Sequence, residues 1–302
     1  ADTVTVLRDG QSVASNIPIS GLDYQSLINM MVGREITQMF PENLAVPGEI
    51  AMKVEHLSKA GEFHDISFEV HKGEILGIAG MMGAGRSELM SAVFGITRPD
   101  SGEVFVHGEK MRQGDPRESI SRGMAMLTED RKGTGLFLGM SITDNIVMPS
   151  LKQVKKALFL SRKKMEKIAD KQVKDLLIKT AGLGVQSKNL SGGNQQKVLL
   201  GRWLCRQPEI LIVDEPTRGI DVGAKYEIHK ILCDLAKSGK AVIMISSEMP
   251  EVVGISSRVL VIADGRITGE LCGEEIRQEN IMKYAAKLEK EPKGMVEDEE
   301  II

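Results

Sequence analysis

Hydrophobic positions along this chain gather into short runs separated by longer stretches with helical spacing. Ile210-Leu211-Ile212-Val213-Asp214 is apolar until its closing acid, which reads as a buried strand delivering a carboxylate to a sheet edge. Glu74 to Ala79, Val242 to Ser246 and Arg258 to Ile262 also read as strands. In His64 to Val70 the apolar residues Ile66, Phe68 and Val70 alternate with polar ones, the pattern of a half-buried strand. Glu103 to His107 and Met124 to Thr128 complete the set. Helical spacing occupies Ser161 to Ala181 and Gly223 to Lys237. Strands alternating with helices predict an α/β domain with a largely parallel sheet.

Two distant segments match each other. Thr3-Val4-Thr5-Val6-Leu7-Arg8-Asp9-Gly10 and Arg258-Val259-Leu260-Val261-Ile262-Ala263-Asp264-Gly265 each run from an apolar strand into an Asp-Gly hairpin signal, 255 positions apart. Short helical pieces follow, Ser26 to Val32 and Glu274 to Ala285. Asp-Gly turns are common, so two unrelated hairpins are one reading. The other is a tandem repeat, with residues 1–35 the C-terminal remnant of a first copy. Residues 36–49, with Pro41, Pro47 and Gly48, read as a linker. The second domain is expected over 50–285, and the acidic stretch Val296 to Glu300 marks 286–302 as a disordered tail.

Bulk properties narrow the class. A chain of 302 residues has room for one large domain and an appendage. A net charge of −3 offers no bulk attraction for nucleic acid. Cys205, Cys233 and Cys272 follow no metal-ligand spacing and read as reduced thiols. No apolar run approaches the ~18 residues of a membrane span, and the start has no signal-peptide pattern. A role at a membrane therefore needs another chain to span it.

The chemistry concentrates in three stretches. Gly80-Met81-Met82-Gly83-Ala84-Gly85-Arg86-Ser87 lies between the strand at 74–79 and the helical stretch Glu88 to Val93. Strand, Gly-rich loop and helix form the context of a phosphate loop, in which successive N–H groups curl around an anion. Ser87 is placed to hold Mg²⁺ through its hydroxyl. Arg86 occupies the position of the usual Lys, so a planar fork replaces a compact ammonium. With a phosphate loop upstream, Asp214 reads as the acid that orients Mg²⁺ and Glu215 as the one that polarises the attacking water. Leu190-Ser191-Gly192-Gly193-Asn194-Gln195-Gln196 puts a hydroxyl and two glycines at a helix start, whose open N–H groups and dipole suit a phosphate. Together these stretches predict a protein that closes on a nucleoside triphosphate.

In this order of motifs, residues 50–285 resemble an ATP-binding-cassette (ABC) domain. The resemblance implies a P-loop NTPase fold with a mixed sheet core and a helical subdomain, and it implies ATP and Mg²⁺ as ligands. Cassettes work as dimers in which Ser191-Gly192-Gly193 of one caps the nucleotide held by the loop of the other. Gly77 to Arg86, Thr128-Glu129-Asp130-Arg131-Lys132 and Ser246-Ser247-Glu248-Met249-Pro250-Glu251 resemble the second cassette of the fused two-cassette ATPases of bacterial sugar importers, of the ribose, galactose and xylose type. By that likeness Gly80, Gly83, Ala84, Gly85, Arg86, Ser87 and Asp221 belong to the nucleotide site. Catalysis falls to Glu215, Ser247 and Glu129, and metal binding to Ser87 and Asp214.

The departures from the general cassette pattern carry information. Glu129 stands where a Gln is usual and Ser247 where a switch His is usual. Arg218-Gly219-Ile220-Asp221 replaces Ser-Ala-Leu-Asp. Phe63 is the nearest candidate to stack on adenine, with core packing its other reading. Arg86, Glu129 and Ser247 together remove three expected side chains while Glu215 is kept, which predicts a slow or regulatory site whose signature serves a partner cassette. The lysines of 152–174 read as a solvated helix face, or as a face toward anionic lipid or permease. The expected partners are a membrane permease, a first cassette on the same chain and, indirectly, an extracytoplasmic sugar-binding protein. The expected place is the cytoplasmic face of the membrane, without nucleic acid. A nucleoside importer of the same family, a non-transport cassette acting on nucleic acid or ribosomes, and a purely regulatory nucleotide-binding module are the competing readings.

Overall fold

A computed structural model describes residues 1–8, 11–22, 26–27, 30, 39–156 and 159–286. Strands β1 (Thr3–Arg8) and β2 (Gln11–Pro18) form an antiparallel hairpin. The expected helix at Ser26 to Val32 falls, apart from residues 26, 27 and 30, outside the described residues, as does the acidic tail. Residues 39–49 form neither helix nor strand. They lie along the following domain, where Asn43 Nδ2 donates to the Ile255 carbonyl at 2.8 Å and to Ser257 Oγ at 3.0 Å.

Two sheets build that domain. Strands β3 (Ile50–Lys59), β4 (Phe63–His71), β6 (Ser101–Val106) and β7 (Glu109–Lys110) form an antiparallel sheet in the order β4-β3-β6-β7. The second sheet contains β5 (Ile75–Gly80), β8 (Met124–Leu127), β11 (Ile210–Asp214), β12 (Ala241–Ile245), β13 (Arg258–Ala263) and β14 (Arg266–Cys272). Its order is β14-β13-β5-β12-β11-β8, parallel throughout except for β14. The remaining strands, β9 (Lys155–Lys156) and β10 (Phe159–Leu160), make a small hairpin. The seven strands expected from the apolar runs are present with ends shifted by no more than two residues.

The apolar runs are continuous because the parallel sheet is covered on both sides. Leu211, Val213, Val242, Met244, Val259 and Val261 face one hydrophobic cluster, while Ile210, Ile212, Ile243, Ile245, Leu260 and Ile262 face the other. The antiparallel sheet and helix α1 (Arg86–Val93) cover the second face. The first is covered by helices α3 (Ile142–Val147), α4 (Arg162–Asp175), α5 (Gly192–Leu204), α6 (Val222–Lys237), α7 (Met249–Ile255) and α8 (Gln278–Ala285). Of these, α3, α4 and α5 pack on one another as a helical subdomain. A short helix, α2 (Pro116–Ser121), starts with Asp115 accepting from Arg117 N at 3.1 Å and with Pro at its first position.

Two expectations need correction. The helix expected over 161–181 ends at Asp175, because Leu177 turns left-handed at φ 51°. Two of the expected strands, β4 and β6, also lie outside the largely parallel sheet, in a separate antiparallel layer with β3 and β7. By contrast the Asp264-Gly265 hairpin forms as read, with both residues left-handed at φ 47° and 68°, as a type I′ turn requires.

Gly77 shows how tightly α7 sits on the sheet. A Cβ there would lie 2.4 Å from Ser256 Oγ and 3.0 Å from Val252 Cγ1. Gly77→Ala is therefore expected to destabilise the fold by about 1–3 kcal/mol, read as a lower urea midpoint at unchanged slope.

Candidate active site

The parallel strands bring their C-terminal ends to one edge, where α/β sheets bind ligands. Gly80 to Ser87 leave β5, Asp214-Glu215 close β11, and Ser246-Ser247 follow β12. The fold thus gathers residues from three distant parts of the sequence.

The loop at 80–87 has the backbone of an anion cradle. Gly83 and Gly85 are left-handed, at φ 80° and 91°. A Cβ on Gly80 would meet the Ile262 carbonyl oxygen at 2.3 Å, and one on Gly85 the Glu62 carbonyl oxygen at 2.6 Å. Gly83 faces open space, with nothing within 4 Å of its Cβ position. Helix α1 begins with no side-chain cap, which leaves its first N–H groups for a ligand. Arg86 is buried, and its Nη1 donates to the Ser246 carbonyl at 2.9 Å. The side chain at the usual Lys position therefore also ties the loop to the end of β12.

Asp214 and Glu215 have different surroundings. Asp214 is 3% exposed, and its Oδ1 is buried without a hydrogen-bond partner. Burial pushes its carboxyl above the usual range, partly offset by the Ser87 hydroxyl and the Arg86 charge beside it. An orphaned carboxylate oxygen next to a hydroxyl, at the foot of a phosphate cradle, fits a hard divalent cation with oxygen ligands. Glu215 accepts from Ser247 N at 2.7 Å and from Ser247 Oγ at 3.1 Å. Burial raises its carboxyl as well, against the Ser247 hydrogen bond and the Arg86 charge. Ser247, at the switch position, thus grips Glu215 with both its backbone and its hydroxyl.

The signature stands elsewhere on the surface. Ser191 caps α5, and its hydroxyl also accepts from Asn194 Nδ2 at 2.9 Å. A Cβ on Gly192 would lie 3.1 Å from the Gly219 carbonyl oxygen, and one on Gly193 2.5 Å from Ala224 Cβ. Asp221 caps α6, accepting from Ala224 N at 2.9 Å. Signature and Asp221 therefore form one unit, whereas the phosphate-loop glycines abut Ile262 and Glu62. Glu129 is ion-paired with Arg218. Arg131 reaches from the same loop to Gln195 Oε1 at 3.3 Å and to the Arg218 carbonyl at 3.4 Å.

Beside Gly83 lies a cavity of about 580 Å³, lined by the turn from Ser58 to His64 and by Asp100, Asp264 and Gly265. Phe63 is 3% exposed and packs in the core, so core packing is the reading of Phe63 that the structure favours. Sequence reasoning missed this cavity and Thr217, which falls in no motif, and it assigned no role to Arg131 and Ser246 although they lie within the 128–132 and 246–251 stretches.

A family model described as ABC transporter matches residues 63–218. The chain belongs to the ABC transporter family. It has the α/β fold and mixed sheet of solved cassettes of that family. It is 46% identical over 290 residues to the galactose/methyl galactoside import ATP-binding protein MglA of Clostridium tetani, a match covering 95% of this chain and 57% of that protein. It is 45% identical over 282 residues to the ribose import ATP-binding protein RbsA of Halalkalibacterium halodurans, covering 93% and 56%. The chain thus spans a little over half the length of these relatives. A nucleotide-free ATP-binding cassette from an ABC transporter superposes with a TM-score of 0.66 at 23% identity, covering 78% of this chain and 96% of that one. Among the described residues no helix is long and apolar enough to cross a membrane.

Proposed function

We propose that this cassette binds ATP with Mg²⁺ and, by closing on a partner cassette, drives a sugar importer. The observation that carries the reading is the convergence at one sheet edge of the 80–87 cradle, the orphaned Asp214 oxygen and the restrained Glu215. The cradle takes the phosphates through backbone N–H groups. Ser87 and Asp214 hold Mg²⁺, which when bound neutralises phosphate charge. Glu215, its carboxyl raised by burial, is poised to accept a proton from an attacking water. Ser247 orients Glu215 in place of a switch His. The cavity beside Gly83 has room for the base.

Residues 50–285 are the second cassette of a fused pair, residues 1–35 the end of the first and 36–49 the linker. Two observations support this division. The β1–β2 hairpin repeats the pairing of β13–β14, and the matches cover only 57% and 56% of two relatives named for import. The Ser191–Gly193 signature serves the first cassette's nucleotide, while the site with Arg86, Glu129 and Ser247 is slow. The partners are a membrane permease and, through it, an extracytoplasmic sugar-binding protein, with the cassette at the cytoplasmic face. Relatives named for galactose and ribose import favour sugar over nucleosides and over a nucleic-acid role.

Calorimetry of this chain with ATP, with and without Mg²⁺, tests the site. Mg²⁺ is expected to tighten ATP about tenfold, roughly 1.4 kcal/mol. Asp214→Asn should keep metal-free binding and lose that gain. ATP affinity indifferent to Mg²⁺ in the unaltered chain would remove the assignment of Asp214 and Ser87. Co-purification with a permease, rather than with RNA or DNA, tests the transport role.

A further inference from the structure

Three residues outside the phosphate-loop, carboxylate and signature motifs close a ring around Glu215. Glu251, on α7, is 2% exposed. One of its carboxylate oxygens accepts from Thr217 Oγ1. The other accepts from Ser246 Oγ at 3.1 Å. Thr217 follows Glu215 by two positions, and Ser246 immediately precedes Ser247. Ser247 donates to Glu215 at 2.7 and 3.1 Å. Segments 215–217 and 246–247 are therefore fastened at both ends, by Glu215 on one side and by Glu251 on the other. Two groups of α6 face the same carboxylate, Lys225 Nζ at 3.6 Å and His229 Nε2 at 3.5 Å from Oε1.

Two facts show that the ring is a constraint and not only packing. Glu215 sits in the left-handed region at φ 46° without being glycine. Such a conformation persists only where its surroundings over-determine it. A carboxylate this deeply buried also needs several partners, and those of Glu251 come from the segment after β11, the end of β12 and α6. Ser246 closes the circuit toward the phosphate loop, since its carbonyl accepts from Arg86 at 2.9 Å.

We infer that Glu251 is a positioning residue, which holds Glu215 in its left-handed conformation and ties the segment 217–221 to the end of β12. It touches no reacting atom. It acts through Thr217 and Ser246 on the carboxylate that faces the nucleotide site, and through 217–221 on the Asp221 cap beside the signature. Its catalytic meaning rests on the role proposed for Glu215, whereas the ring itself does not.

Hydrogen exchange read by mass spectrometry tests the ring in this chain, with ATP affinity measured alongside. Glu251→Ala should raise exchange over 214–221 about tenfold, leave β5, β12 and the 80–87 loop unchanged, and keep ATP affinity within about twofold. Glu251→Gln spans both hydroxyls and should restore the unaltered pattern. Thr217→Val removes one arm at nearly constant volume, and should loosen the same segment even if the Ala variant folds poorly. Unchanged exchange over 214–221 in Thr217→Val overturns the inference, as does loosening that spreads through the sheet, or a Gln variant no better than Ala. An unaltered chain that binds no ATP overturns the nucleotide reading alone, because the exchange pattern still judges the ring.

Discussion

In this chain by itself, Glu215→Gln is expected to cut the slow ATP turnover of its own site about 10³-fold, about 4 kcal/mol of barrier, while ATP affinity stays within about twofold. The argument starts from the side chain's partners. Ser247 donates its N–H to one Glu215 oxygen and its hydroxyl to the other, at 2.7 and 3.1 Å. An amide of the same shape keeps the oxygen that accepts from the N–H, so the local fold survives. What the substitution removes is the ability to take a proton. Burial has raised the Glu215 carboxyl, which brings its proton affinity nearer to that needed at neutral pH. Phosphate release at saturating ATP, beside calorimetric affinity, separates the two effects. Equal turnover in both proteins would show that Glu215 accepts no proton from the attacking water. Loss of affinity in parallel with turnover would instead mark it as a binding group.

The sequence was most readable where one force acts alone. Strands covered on both faces have no polar alternation to interrupt, so the runs at 75–79, 210–214 and 258–262 declare themselves. The Gly-rich loop at 80–87 was legible as a strand-to-helix turn because its glycines answer to local backbone demands. Ser191 was legible as a helix cap for the same reason. Strand β3 was not, because His56 turns left-handed at φ 48° and the register slips between Val54 and Leu57, which breaks the period of two. The end of α4 was hidden because Leu177 is an ordinary helix former pushed into a left-handed turn. Phe63 shows a different failure: an aromatic before a phosphate loop suits a base or a core equally well, and only its burial decides. Glu251 lies within the 246–251 stretch but its role is not legible there, since its partners Thr217 and Ser246 meet it only through the fold.

In the two-cassette protein proposed above, Ser191→Arg is expected to lower turnover at least about 10²-fold, whereas Arg86→Ala should lower it less than about threefold. The asymmetry follows from where the two residues stand. Ser191 opens α5, with Gly192 and Gly193 packed against Gly219 and Ala224. A long cation there removes a cap worth about 1 kcal/mol to the helix, and it fills the surface meant for a partner's phosphates. Donors aimed at developing charge carry large parts of a barrier, so blocking them costs far more than the cap itself. Arg86 is turned inward to the Ser246 carbonyl, beside the paired carboxylates of its own cassette. Its removal should weaken nucleotide at that slow site and soften the end of β12, without touching the site that the signature completes. Steady-state phosphate release and occupancy of each site by a labelled nucleotide, read in both variants, distinguish the outcomes. A protein that survives Ser191→Arg but stops with Arg86→Ala would place the fast site on this cassette and reverse the division of labour.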